Sequence, residues 1–142
     1  MAFTGAAEDR LAIRELLDAY ADAVTRCDAE SWGATWAEDG VWSMPDYPEF
    51  PTQTGRAAIV GLWVEAMKGF PGIMFEAWPG SIVIDGDRAD VTSYTAEVYD
   101  RDGMTVRDRG QYTDVCVKRD GRWVFASRTF RNIHRQIAAK DA

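Results

Sequence analysis

Three turn signals divide the second half of the chain into four β-runs: Ile84-Asp85-Gly86-Asp87, Arg101-Asp102-Gly103 and Lys118-Arg119-Asp120-Gly121. The runs they separate are Ile73 to Ile84, Ala89 to Tyr99, Met104 to Val117 and Arg122 to Ile133. Short breaks of this composition join neighbouring strands as hairpins, so the four runs form an antiparallel meander. Residues up to about Lys68 read instead as helix, short strand, helix. Helices gathered ahead of an antiparallel meander specify an α+β fold. If the sheet curls around the first helix, it makes a cone with a pocket inside, and that pocket is where function is expected.

The first helix is expected from about Glu8 to Cys27. Ile13, Leu16, Leu17, Tyr20, Val24 and Cys27 recur at helical spacing and share one face. Asp28 suits the N-cap of a second short helix holding Trp32 and Trp36, with Gly40 ending that unit and Val41-Trp42-Ser43-Met44 as a short strand. Pro45, Pro48 and Pro51 forbid regular structure and stiffen the loop from Pro45 to Thr54, which reads as a lid or as a plain connector. Gly55 opens a third helix with Ile59, Leu62, Trp63 and Met67 on one side, and Phe70-Pro71-Gly72 stops it. Pro79-Gly80 inside the first long β-run implies an edge, a bulge or a bend.

The chain has 142 residues, enough for one domain with a sizeable core, and the whole of 1–142 is read as that domain. Its net charge of −7 argues against nucleic acid and against anionic membrane surfaces as partners. No apolar run is long enough to span a membrane, and the N-terminal Met1-Ala2-Phe3-Thr4-Gly5 lacks the features of a signal peptide. Cys27 and Cys116 lie far apart in sequence, without a Cys-x-x-Cys spacing, which fits a reduced cytoplasmic protein; a disulfide between them is left open. One histidine and two separated cysteines do not supply a usual zinc site, and no phosphate loop or nucleophile elbow is present. No metal or cofactor is expected.

Several segments carry a resemblance. They are Ala12-Ile13-Arg14-Glu15-Leu16-Leu17, Trp36-Ala37-Glu38-Asp39-Gly40-Val41-Trp42, Gly55-Arg56-Ala57-Ala58-Ile59, Ile84-Asp85-Gly86-Asp87-Arg88-Ala89, and Gly110-Gln111-Tyr112-Thr113-Asp114 leading to Arg119-Asp120-Gly121-Arg122-Trp123. In order and spacing the chain resembles the SnoaL-like branch of the nuclear transport factor 2-like superfamily over nearly its whole length. The resemblance implies a cone of curled sheet around the first helix, an apolar pocket, and a homodimer or homotrimer. Relatives include polyketide cyclases, steroid isomerases, dehydratases, a dehydrochlorinase and non-catalytic subunits. Many of the lyases use an Asp late in the first helix and a His on the strand after the third helix. An ungapped alignment from Ala12 to Trp42 places Thr25 at the Asp position, and the His position falls near Glu76 or Ala77. The one histidine, His134, lies at the far end. The dyad is absent from its usual place.

The candidate site residues follow from pattern and from that cone. Glu76 sits among apolar neighbours in Ile73-Met74-Phe75-Glu76-Ala77-Trp78; facing the pocket, its carboxyl would be raised by burial into a useful acid or base, and the alternative is a solvent-facing strand residue. Arg128, Phe130 and Asn132 share a parity on the last run, as do Asp108, Gly110 and Tyr112 on the run before it. Arg128 suits a substrate carboxylate or phenolate, or else a structural ion pair, with Asp108 or Glu97 as the partner that strand pairing would supply. Asn132 suits a carbonyl. Tyr20 points its hydroxyl into the cone, as a donor to substrate or as satisfied core. Thr25, Trp42, Trp63, Trp78, Glu97, Tyr112, Phe130 and Asn132 complete the expected substrate-binding set, because aromatic walls suit planar or polycyclic ligands.

The leading functional reading is a small cofactor-independent enzyme acting on a hydrophobic, oxygenated molecule by proton transfer, as an isomerase, dehydratase or cyclase. Glu76 is its base, or Asp108 if Glu76 points outward. Tyr20, Arg128 and Asn132 hold the substrate oxygen. The alternatives are a non-catalytic binding or assembly domain on the same cone, and an accessory subunit of a ring-hydroxylating oxygenase.

Overall fold

The computed structural model describes residues 2–140. Helix α1 (Ala7–Arg26) buries Ile13, Leu16, Leu17, Tyr20 and Val24 along one stripe. Cys27 ends it in the left-handed conformation at φ 52°, and its N–H returns to the last turn. Asp28 then caps α2 (Ala29–Gly33), accepting from the Ser31 N–H at 3.1 Å. The Ser31 hydroxyl, that backbone bond and Arg26 hold the Asp28 carboxyl down at about 2.

The second helix is shorter than its tryptophans suggest. Trp36 is not helical: it opens strand β2 (Trp36–Ser43), and Gly40 lies inside that strand rather than ending a helix. The helical spacing of Trp32 and Trp36 is overridden by pairing of β2 with the last strand, which a sequence window cannot see. The pairing shifts register between Trp36 and Val41. Gly40 fits there because a Cβ would come 3.0 Å from the Trp36 ring.

After the proline-rich loop come β3 (Gln53–Thr54) and α3 (Arg56–Met67), with Ile59 and Trp63 buried. The meander follows as β4 (Met74–Asp85), β5 (Arg88–Arg101), β6 (Met104–Arg119) and β7 (Arg122–Ala139). Asp102-Gly103 and Asp120-Gly121 all have positive φ, the backbone of a tight hairpin that Asp and Gly tolerate. Pro79-Gly80 forms a bulge, where β4 slips register between Pro79 and Ser81.

The sheet order is β1-β4-β5-β6-β7-β2-β3, with β1 at Phe3–Thr4. The four meander strands are antiparallel, but β1 joins β4 and β2 joins β7 in parallel, so the sheet is mixed at its margins. It curves around α1 without closing, an α+β cone. The core on the inner face is aromatic. Trp32 stacks on Trp63 with centroids 4.5 Å apart, and packs edge-on against Trp36 and Trp42. Both cysteines are free, Cys27 exposed and Cys116 buried.

Candidate active site

The mouth of the cone holds a cavity of about 120 Å³. Helix α1 contributes Tyr20 and Val24, β2 contributes Trp42, and α3 contributes Trp63 and Met67. Phe75, Glu97, Asp108, Tyr112, Phe130 and Arg135 come from the meander, while Tyr47 and Phe50 come from the proline-rich loop. That loop is tied to β7: the Asp46 carboxylate accepts from the Asn132 backbone N–H and the Arg131 guanidinium, both at 3.0 Å.

Two polar groups interrupt the apolar wall. The first is a pair of phenols. The Trp42 indole N–H donates to the Tyr112 hydroxyl at 3.1 Å, and the Tyr112 and Tyr20 hydroxyls lie 3.5 Å apart. Burial pushes both phenols above their ordinary range, so both remain protonated donors at neutral pH. With the indole donating into the pair, one phenolic proton is left for a ligand oxygen.

The second is a carboxylate pair. Glu97 on β5 lies directly opposite Asp108 on β6, and Asp108 opposite Arg135 on β7. The Arg135 guanidinium grips Asp108 with two bonds of 2.7 and 2.9 Å, and the Tyr99 hydroxyl donates to it at 3.4 Å. These donors go to Asp108, and Glu97 makes no side-chain hydrogen bond among the described residues. Burial, and then the Asp108 charge, push the Glu97 carboxyl up to about 7, against a smaller opposing pull from Arg135. The arrangement therefore sets a carboxyl gripped by Arg135 beside a second carboxyl raised toward neutrality, a pairing that suits acid–base work.

Glu76 does not join this site. The strand alternation is as expected, but the faces are reversed: Phe75 lines the cavity, while Met74, Glu76 and Trp78 point outward and are exposed. Both faces of this stretch carry large apolar residues, so alternation alone does not say which is inside. Arg128 faces inward but lies beneath the cavity, with no exposed surface. It pairs with Asp114 at 2.7 Å, donates to Ser93 at 3.0 Å, and lies under the Tyr112 ring with Cζ 3.7 Å from the centroid. Its partner is thus neither Asp108 nor Glu97. Asn132 donates to the Tyr47 hydroxyl at 3.1 Å from behind the cavity wall. Thr25 accepts from the Phe75 N–H at 3.0 Å and donates to the Phe75 carbonyl at 3.4 Å, clamping β4 to α1.

Of the expected residues, Tyr20, Trp42, Trp63, Glu97, Asp108, Tyr112 and Phe130 come together around the cavity. Arg135 and Tyr47 were not expected there. A bulge at Ile133, between the pairs Arg109–His134 and Gly110–Asn132, turns Arg135 onto the inner face against simple alternation. For Tyr47 the signal was the aromatic content of the stiff loop. Among the described residues no three His, Cys, Asp or Glu side chains gather as a metal site, and no helix is long and apolar enough to cross a membrane.

Solved structures with this architecture are numerous. A chain from Novosphingobium aromaticivorans, provisionally named scytalone dehydratase, superposes with a TM-score of 0.78 at 26% identity, over 95% of this chain and 91% of that one. A hexachlorocyclohexane dehydrochlorinase gives 0.83 at 15% identity, over 93% and 90%. A ketosteroid isomerase-like protein from Erwinia carotovora atroseptica gives 0.76 at 21%, over 91% and 99%. Comparison with curated protein sequences gives no match. A SnoaL-like domain profile matches residues 5–129, and the chain belongs to the SnoaL-like domain family.

Proposed function

We propose that this protein is a cofactor-independent enzyme that moves a proton on a small hydrophobic molecule bearing an oxygen, as isomerases and lyases do. The observation that carries the reading is Glu97, a carboxyl on an apolar cavity wall with no hydrogen-bond partner among the described residues, which burial and the Asp108 charge push up to about 7. A base is most effective when its pKa lies near the working pH. Glu97 removes a proton from carbon next to the ligand carbonyl. The negative charge that moves to the carbonyl oxygen is stabilised by the phenol pair of Tyr20 and Tyr112. Glu97, now protonated, returns the proton to a different carbon for isomerisation, or the charge expels a leaving group for elimination and Glu97 passes its proton to that departing group. Arg135 grips Asp108, and the Asp108 charge beside Glu97 keeps Glu97 basic. The base is reassigned from Glu76, and the open cavity with its free carboxyl speaks against a purely structural domain.

The test follows isomerisation of β,γ-cyclohexenone to its conjugated isomer by absorbance. Glu97→Gln is expected to lower the rate by at least about 100-fold. A variant within about twofold of wild type, or wild type no faster than buffer, would overturn the reading.

We also infer that the protein works as a homodimer or homotrimer in the cytoplasm. Exposed Met74 and Trp78 flank Glu76, Arg107 and Arg109 on the outer sheet face, an apolar surface whose mixed charges suit a second copy of itself. Sedimentation at micromolar concentration is expected to give two or three chain masses; a monomer would refute it.

A further inference from the structure

We propose that the cavity selects an uncharged compound with a single ring and one hydrogen-bonding oxygen, and that Phe130 sets that limit. The role of the oxygen rests on the proton-transfer reading above; the size argument rests on geometry alone. The void measures about 120 Å³. A protein cavity of roughly 150 Å³ accommodates one benzene molecule. The space is therefore about the size of one six-membered ring. Seating a fused bicyclic or steroidal skeleton wholly inside requires a wall to move, and walls packed at crystal density resist that.

Phe130 is the wall that decides the size, because it is held from three sides. Its ring lies 5.0 Å from the Tyr112 centroid and 6.3 Å from the Tyr47 centroid, the latter nearly parallel. Behind it is Gly110, where a Cβ would overlap the Phe130 ring itself. Glycine at 110 thus lets the ring rest against the β6 backbone, and Tyr47 covers its other face. Trp63, which also lines the cavity, is equally fixed: it is stacked on Trp32 with planes 10° apart.

The polar lining sets the charge of the ligand. Asp108 is already matched by Arg135. A ligand carboxylate would be desolvated beside Glu97 and Asp108, a costly arrangement. A ligand ammonium would offer the phenol pair no acceptor. A neutral carbonyl or phenolic oxygen satisfies the free phenolic proton without either cost.

The test is an NMR titration on the intact protein, read on the Trp42 and Trp63 indole signals, with cyclohexenone, tetralone, benzoate and cyclohexylammonium as probes. Wild type is expected to bind cyclohexenone at least about tenfold more tightly than the other three. In Phe130→Ala, and in the milder Phe130→Leu if the first fails to fold, the margin over tetralone is expected to fall below about threefold. Tetralone bound as tightly as cyclohexenone by wild type, or a margin unchanged in the folded Phe130 variants, would overturn the size limit. Tighter benzoate or cyclohexylammonium would overturn the charge assignment, and no binding of any probe would overturn both. The titration needs no turnover. An inactive base would leave these ratios intact, and a lost preference would leave the Glu97→Gln comparison intact.

Discussion

Neutralising Asp114 tests whether Arg128 is a structural cation or a ligand-binding one. Both side chains of this pair are fully buried, and among the described residues Asp114 supplies the one carboxylate bonded to Arg128. In Asp114→Asn the shape is kept, but a guanidinium is left in the core with only Ser93 and the rings of Tyr20, Tyr112 and Phe125 around it. Removing one partner of a buried pair costs about 3–5 kcal/mol. For a chain of 142 residues the unfolding entropy is about 0.3 kcal/mol/K from the usual value per residue. The expected fall in Tm is therefore about 10–17 °C, read by calorimetry or circular dichroism. Adding Arg128→Met removes the unpaired charge and should recover at least half of the loss, because an apolar replacement of a buried pair is often close to neutral. A single-variant loss below about 1 kcal/mol, or a double variant no better than the single, would refute the argument.

Two further outcomes follow from the same contacts. Thr25→Val removes both bonds to the Phe75 backbone and should lower stability by about 1–2 kcal/mol in a urea titration, and an unchanged midpoint would show that the clamp contributes nothing. Stability should also fall as pH rises from about 4.5 to about 7, because the folded chain keeps a proton on Glu97 that the unfolded chain has released. The effect is on the order of 3 kcal/mol and should disappear in Glu97→Gln, so equal pH slopes in variant and wild type would contradict the raised carboxyl.

Much of this architecture can be read from local chemistry. The Asp-Gly turns specify the hairpins, and the apolar spacing of Ile13, Leu17, Tyr20 and Val24 specifies the helix that the sheet wraps. Alternation on β6 places Asp108, Gly110 and Tyr112 together, and the same rule extended to Asp114 would have supplied the partner of Arg128. What alternation cannot supply is the sign of the face. Glu76 and Phe75 differ by one residue, and the choice depends on Thr25 gripping the Phe75 backbone from a helix fifty residues earlier. Arg135 is hidden for a different reason. The bulge at Ile133 inverts the faces beyond it, and nothing in that stretch of sequence marks the extra residue. Trp36 illustrates tertiary override: its spacing from Trp32 is helical, but pairing with Phe125 makes it a strand residue.

The proposed function rests on the Glu97 carboxyl titrating near neutrality, half-buried and with no hydrogen-bond partner among the described residues, beside an Asp108 gripped by Arg135. Carbon NMR of side-chain carboxyls across a pH titration, with Glu97 assigned through Glu97→Gln, measures this directly. The account predicts a midpoint near 7, and a midpoint at the ordinary glutamate value of about 4.3 would contradict it.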